Sequence, residues 1–231
     1  MSIAEKFEVI ADAVYEKGKR FLAKSITDNG TRTYYYRAFQ TSAFEEDADF
    51  YGLCKPVSAG YMFYGQTGEY LPKGVDMSSL NVSKASAEHN STMYAWSSKL
   101  QEIPDYNMPA LERYASTYNN CSALHTIQGK IKVNKNTEYS STFTNCTELA
   151  NIELEGTIGK NGFNVQWSTK LSGQSIVSII EALSTTTSGL TVTLSQTAVN
   201  NMAFPIVGNK GTYNSWTDLE QSKTNWTISL V

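Results

Sequence analysis

A chain of 231 residues with 41% hydrophobic and 18% charged residues buries a real core, so a disordered tail or linker is excluded. A net charge of −3 provides no field for nucleic acid or an anionic membrane. No apolar run approaches the ~20 residues of a membrane span, and three cysteines, an odd count, argue against a disulfide framework.

In chain order, Ser2 and Glu5 form a capping box. Ile3, Phe7, Ile10 and Val14 follow at spacings of 4, 3 and 4, a heptad seam. Ala4, Ala11 and Ala13 favour helix, and Gly18 suits its end. The spacing predicts an amphipathic helix over about residues 3–16, within an N-terminal segment 1–24. Its stripe either packs on the next element or joins copies of the chain into a dimer or trimer. Residues 1–20 carry Glu5, Lys6, Glu8 and Asp12 rather than a basic start and an apolar run. They read as no secretory signal, which gives a chain made in a cytoplasm, virion-associated or cytoplasmic. The sequons at Asn90, Asn120, Asn145 and Asn225 then carry no glycan.

Asn29-Gly30 is a turn pair. Tyr34, Tyr35 and Tyr36 follow; neighbours in a strand face opposite sides, so at least one ring is exposed. A repeat begins here. YASTYNNCSALHTI (Tyr114–Ile127) returns 25 residues later as YSSTFTNCTELANI (Tyr139–Ile152). Tyr118 meets Phe143, Asn120 meets Asn145, Cys121 meets Cys146, Leu124 meets Leu149 and Ile127 meets Ile152. A period of 20–30 residues with recurring aliphatic positions marks stacked structural repeats. Traced backward, the anchoring aromatics are Phe39, Phe63, Tyr94, Tyr118 and Phe143, at intervals of 24, 31, 24 and 25. The 31 places an insertion in Ser78–Asn90, which carries His89. Each turn should hold a short strand near its Ile, and stacking buries what one turn cannot. Cys121 and Cys146 share a repeat position, either as buried thiols in a ladder or as a geometrically demanding disulfide.

After Ile158 the pattern changes. Ser172–Ser175 starts a helix, with Ile176, Val177, Ile179, Ile180 and Leu183 on its apolar stripe. Leu190–Leu194 alternates as a strand, Ala198, Val199 and Met202 suggest a brief helix, Ser215–Asp218 is another cap, and Trp226, Ile228 and Leu230 alternate in a last strand. Such a unit seals the open end of a stack, which gives a repeat region over 25–158 and a helix–strand cap over 159–231.

Asn120-Cys121-Ser122-Ala123-Leu124 and Asn145-Cys146-Thr147-Glu148-Leu149 resemble the BspA-type leucine-rich repeats, in which an aromatic precedes an Asn/Gly-Cys-Thr/Ser-x-Leu turn and an Ile. The resemblance covers about residues 90–155 and, loosely, 33–72. In the Tyr94 turn, Trp96 and Ser97 stand where the Asn-Cys pair would be. The end segments, Asn29–Tyr35, Leu171–Leu194 and Lys223–Val231, look like those of phage and prophage proteins of Gram-positive bacteria. The resemblance implies an α/β repeat solenoid, a short leucine-rich-repeat stack with an N-terminal amphipathic helix and an α/β C-terminal cap. It also implies a binding role, and it lends no catalytic residues.

Motifs for chemistry are missing. The two histidines, His89 and His125, form no HExxH, and neither a G-x-S-x-G elbow nor a Walker loop is present. Glu45-Glu46-Asp47 lacks the alternating spacing of a calcium loop. Glu153 and Glu155 can share a strand face, but no sugar cleft accompanies them. No cofactor or metal is expected. Surface aromatics remain: Tyr34, Tyr35, Tyr36, Tyr61, Tyr64, Tyr70, Trp96 and Tyr106, with His89 in the insertion, while Tyr94 and Tyr118 read as core anchors. The expectation is a non-enzymatic phage or prophage tail-associated protein that contacts a host-surface protein or glycan through the solenoid face, the helix residues Ile3, Phe7, Ile10 and Val14 joining copies. The alternative is an intracellular phage-encoded inhibitor or adaptor that binds a host protein.

Overall fold

A computed structural model describes residues 27–28, 33–34, 39–83 and 90–231. The expected N-terminal helix with Ile3, Phe7, Ile10 and Val14, the Tyr35-Tyr36 pair and His89 lie outside the described residues.

The described chain is mostly small open sheets with three helices. Strands β1 (Thr27–Asp28) and β2 (Thr33–Tyr34) pair antiparallel. Strand β3 (Asp49–Cys54) then pairs in parallel with β4 (Lys73–Val75). Strands β5 (Glu102–Ile103), β6 (Thr126–Val133) and β7 (Asn151–Gly156) form a parallel sheet in that order. Ile103 faces Ile127 in register, and Thr126 faces Asn151. The strands therefore sit where the repeat places its Ile.

Opposite the strands, the rings of Phe39, Phe63, Tyr94, Tyr118 and Phe143 stack in succession. Centroids lie 5.7, 5.8, 5.7 and 5.3 Å apart, and the two middle pairs are within 5° of parallel. All five are buried. Offset ring pairs of this kind add about 0.5–1.5 kcal/mol each beyond the area they bury.

Backbone bonds link each turn to the next at the anchor. Phe39 N donates to Met62 O, Phe63 N to Met93 O, Tyr94 N to Thr117 O and Tyr118 N to Thr142 O, at 2.9–3.1 Å. The residues two before and two after the anchor repeatedly take a left-handed backbone. Tyr61, Thr92, Ser116 and Ser141 precede it, with φ of 54–60°; Thr41, Gly65, Trp96, Asn120 and Asn145 follow it, with φ of 57–64°. This alternation points every second amide along the stack, which explains how a segment without extended strands still bonds its neighbours.

The residue three after the anchor makes a side-chain ladder. Gln66 Nε2 donates to Phe39 O, Ser97 Oγ to Phe63 O, Cys121 Sγ to Tyr94 O and Cys146 Sγ to Tyr118 O, at 2.6–3.1 Å. The repeat's cysteine is thus a compact buried donor, and Ser97 replaces it without loss of the bond. All three cysteines are buried and none is in a disulfide.

The same local pattern continues past residue 158. Ser168 N donates to Val165 O and Leu171 N to Ser168 O, as Cys146 N does to Phe143 O and Leu149 N to Cys146 O. Phe163 ends the ring column 5.5 Å from Phe143. Helix α1 (Gly173–Ala182), capped by Ser172, then lies on β7. Its serines finish the sheet: Ile152 N donates to Ser175 Oγ at 3.0 Å and Leu154 N to Ser178 Oγ at 2.8 Å. An exposed strand edge invites pairing with another chain, and here two hydroxyls one helical turn apart occupy it. Gly156 closes β7 at φ 111°, where an added Cβ would sit 1.9 Å from the Val133 carbonyl oxygen.

The remainder is β8 (Leu190–Leu194), α2 (Gln196–Asn200), β9 (Ile206–Val207), β10 (Thr212–Tyr213), α3 (Trp216–Gln221) and β11 (Trp226–Leu230). β8 and β11 pair in parallel, and Val165 N bonds Thr193 O to join this unit to the turns. No helix among the described residues is long and apolar enough to cross a membrane.

Candidate functional site

The turns order their surface into columns, one residue per turn at each repeat position. The column two residues after the anchor holds Thr41, Gly65, Trp96, Asn120 and Asn145, each in left-handed backbone. Glycine and asparagine tolerate that region, whereas a bulky side chain there is an outlier. Trp96 is nevertheless there, at φ 64° and 58% exposed. Its N–H still donates to Asn119 O at 2.8 Å, as Asn120 N does to Thr144 O at 2.9 Å. The backbone keeps the repeat while the side chain departs from it.

By residue offset Trp167 lines up with this column, without its left-handed backbone. It lies two residues after Val165 and one before Ser168. Ser168 Oγ donates to Cys146 O at 3.1 Å, and Lys170 pairs with Glu148 at 2.5 Å, both at an offset of 22 residues. That offset sets Trp167 beside Asn145. Its indole is 47% exposed. Between the two indoles, Asn145 Nδ2 donates to Asn120 Oδ1 at 3.0 Å, and Asn120 Nδ2 to Asn119 Oδ1 at 2.6 Å. On the turn before Trp96, the half-buried Tyr61 and Tyr64 pack ring to ring at 5.5 Å.

A second feature opens where the chain enters its strands. A groove of about 410 Å³ is lined by Glu46, Glu69, Tyr70, Lys73, Gln101, Glu102 and His125, among others. Gln101 Nε2 donates to Glu69 Oε2 at 3.0 Å, and His125 Nδ1 lies 2.9 Å from Thr126 Oγ1. Tyr70 stands 39% exposed on its wall. Its lining is mixed: the carboxylates of Glu46, Glu69 and Glu102 and the amine of Lys73 stand beside the apolar Leu71 and Pro104.

The structure therefore divides the expected binding residues. Trp96 and Tyr70 are exposed and Tyr64 is half-buried, but on different columns. Tyr34 is described only as backbone of β2, and Tyr35, Tyr36 and His89 lie outside the described residues. Tyr106 is not a surface residue. It is 4% exposed, its ring lies 6.1 Å from that of Phe63, and its hydroxyl donates to Pro72 O at 2.5 Å. Tyr106 packs on the ring column from outside the repeat pattern. Trp167 was not among the expected residues; the signal was Leu171 six residues after Val165, the spacing of Leu124 after Tyr118.

The other polar clusters are structural. Glu153 Oε1 is 3.1 Å from Lys130 Nζ on the solvent side of the sheet. Glu181 is buried on α1, and its carboxylate accepts the amides of Asn209 and Lys210 and the hydroxyl of Tyr213 at 2.7–3.1 Å. Every one of these donors belongs to the β9–β10 hairpin, which Glu181 fastens to the helix. Among the described residues no group of three or more His, Cys, Asp or Glu is placed to hold a metal ion. Burial pushes the Cys146 thiol up to about 12 and the Cys121 thiol further, so neither is a ready thiolate at neutral pH. No family model, no curated protein and no solved structure matches this chain.

Proposed function

We propose that the chain is a non-enzymatic binding protein built on a short leucine-rich-repeat solenoid, and that it serves as a tail-associated protein of a phage or prophage, adhering to a protein or glycan on a Gram-positive host surface. The observation that carries the binding role is Trp96, an indole 58% exposed in left-handed backbone where the equivalent positions hold Thr, Gly and Asn. Left-handed backbone costs an ordinary L-residue roughly 1–2 kcal/mol. The left-handed backbone serves the inter-turn bonds, as it does at Thr41 and Tyr61, and a large exposed aromatic kept there suits a contact surface. The phage assignment rests on the Asn-Cys-Ser/Thr-x-Leu turns and on the end segments.

The groove supports a second reading, an inhibitor or adaptor acting inside the cell. Glu46, Glu69 and Glu102 around an exposed Tyr70 suit a basic loop of a host protein. Incubating the labelled full-length chain with intact Gram-positive cells and with their lysate separates the two. Retention on cells supports the tail protein. A chain that stays monomeric at micromolar concentration, ignores intact cells and co-purifies with one cytoplasmic protein would establish the inhibitor instead.

A further inference from the structure

Trp96 and Trp167 are two of the four tryptophans and are both strongly exposed. They share one column, three turns apart, and at a strand spacing of about 4.8 Å per turn that is roughly 14 Å. Asn120 and Asn145 fill the two turns between them, joined by a side-chain amide bond of 3.0 Å. None of these four side chains carries a charge, and their neighbours Asn119 and Thr144 are also neutral.

The chemistry of that strip selects its ligand. An indole face takes up apolar C–H surface and keeps its polar edge in water. A primary amide supplies donors and acceptors together, which matches paired hydroxyls. Aromatic, amide, amide, aromatic at regular steps is therefore complementary to a chain molecule that alternates apolar faces with hydroxyl rims. A phosphate backbone needs lysines or arginines, and the column has none. A globular protein partner needs roughly 800 Å² per side, with anchors seated in pockets, whereas these two indoles are exposed to solvent. The regular turn spacing and the uniform neutrality instead fit an extended polyhydroxylated chain.

We propose that the column Trp96–Asn120–Asn145–Trp167 binds a neutral, extended oligosaccharide laid along the stack, one sugar face on each indole and the hydroxyls between them on the two amides. The proposal rests on the binding role above and narrows its target to a neutral glycan at a named site. Trp96 earns its strained backbone by reaching the first sugar face; Trp167 sets the length of chain required.

The test is an array of immobilised neutral hexose and N-acetylhexosamine oligosaccharides of increasing length, beside sulfated and phosphorylated counterparts, probed with the full chain. Binding of neutral chains long enough to span both indoles, with single sugars ignored, is expected. Trp96→Ala and Trp167→Ala should each weaken the best neutral ligand about three- to tenfold, the scale of one aromatic contact. Lys130→Ala, on the exposed side of β6, should leave it unchanged. Both tryptophans are exposed, and circular dichroism checks that the variants fold. An array that retains no neutral glycan overturns the proposal, as do tryptophan variants that bind like the parent chain. The two levels fail separately. Cells bound equally by parent and tryptophan variants would sink the glycan column and keep the adhesin. Array binding without cell binding would keep the column and sink the adhesin.

Discussion

At the residue scale the anchor position is a lesson in burial. Tyr94 and Tyr118 stand in a ring column with three phenylalanines, and burial raises both hydroxyls well above the usual tyrosine range. Tyr106, Tyr114 and Tyr139 are raised for the same reason, as are Cys121 and Cys146. All these groups are held neutral in the fold, while the unfolded chain ionises near 9.0 for cysteine and 10.0 for tyrosine. Their contribution is fully present below about pH 9 and is lost as pH rises, that of Cys146 ending near 12. Each group removes about 1.4 kcal/mol per pH unit between its two values. Urea midpoints measured from neutral pH upward should therefore hold level and then collapse above about pH 10. A midpoint that stays flat through that range would mean that the column admits water.

At the element scale the sheet is finished by a helix instead of a strand. Ser175 and Ser178 accept the amides of Ile152 and Leu154, and no strand pattern after Gly156 announces this. Ser175→Ala and Ser178→Ala should each cost about 1–3 kcal/mol, because each leaves a buried amide without an acceptor. Leu154 amide exchange should quicken most in Ser178→Ala; unchanged exchange and stability would show that the helix merely covers the edge. Element positions were legible where periodicity is strong. The helix stripe from Ile176, the strand Leu190–Leu194, the caps Ser172 and Ser215 and the final strand all lie where the sequence places them. Tyr106 was misread because an aromatic off the anchor spacing carries no sign of which side it faces. Trp167 was missed because Val165 replaces the aromatic anchor and shortens the interval from Phe143 to 22 residues.

At the scale of the whole molecule, two column systems divide the work. The interior columns of rings, donors and aliphatics repeat because each turn must bury its face on the next. The exterior columns are free to vary, and they carry large exposed aromatics at Trp96 and Trp167. Repetition thus reports what folding needs, and the departures report where a ligand could be met. The regular turns hold their Cys and Leu inside. The proposed contact surface lies on the same turns, two residues from the anchor, where the repeat is broken.

Trp96→Asn tests this division most directly, since asparagine is what Asn120 and Asn145 already supply at the equivalent position. If Trp96 is present for binding alone, the variant should gain about 1 kcal/mol in urea denaturation as the left-handed backbone relaxes, and should lose adhesion to intact cells. A variant that is less stable and binds as the parent does would contradict the account and make Trp96 part of the folding core.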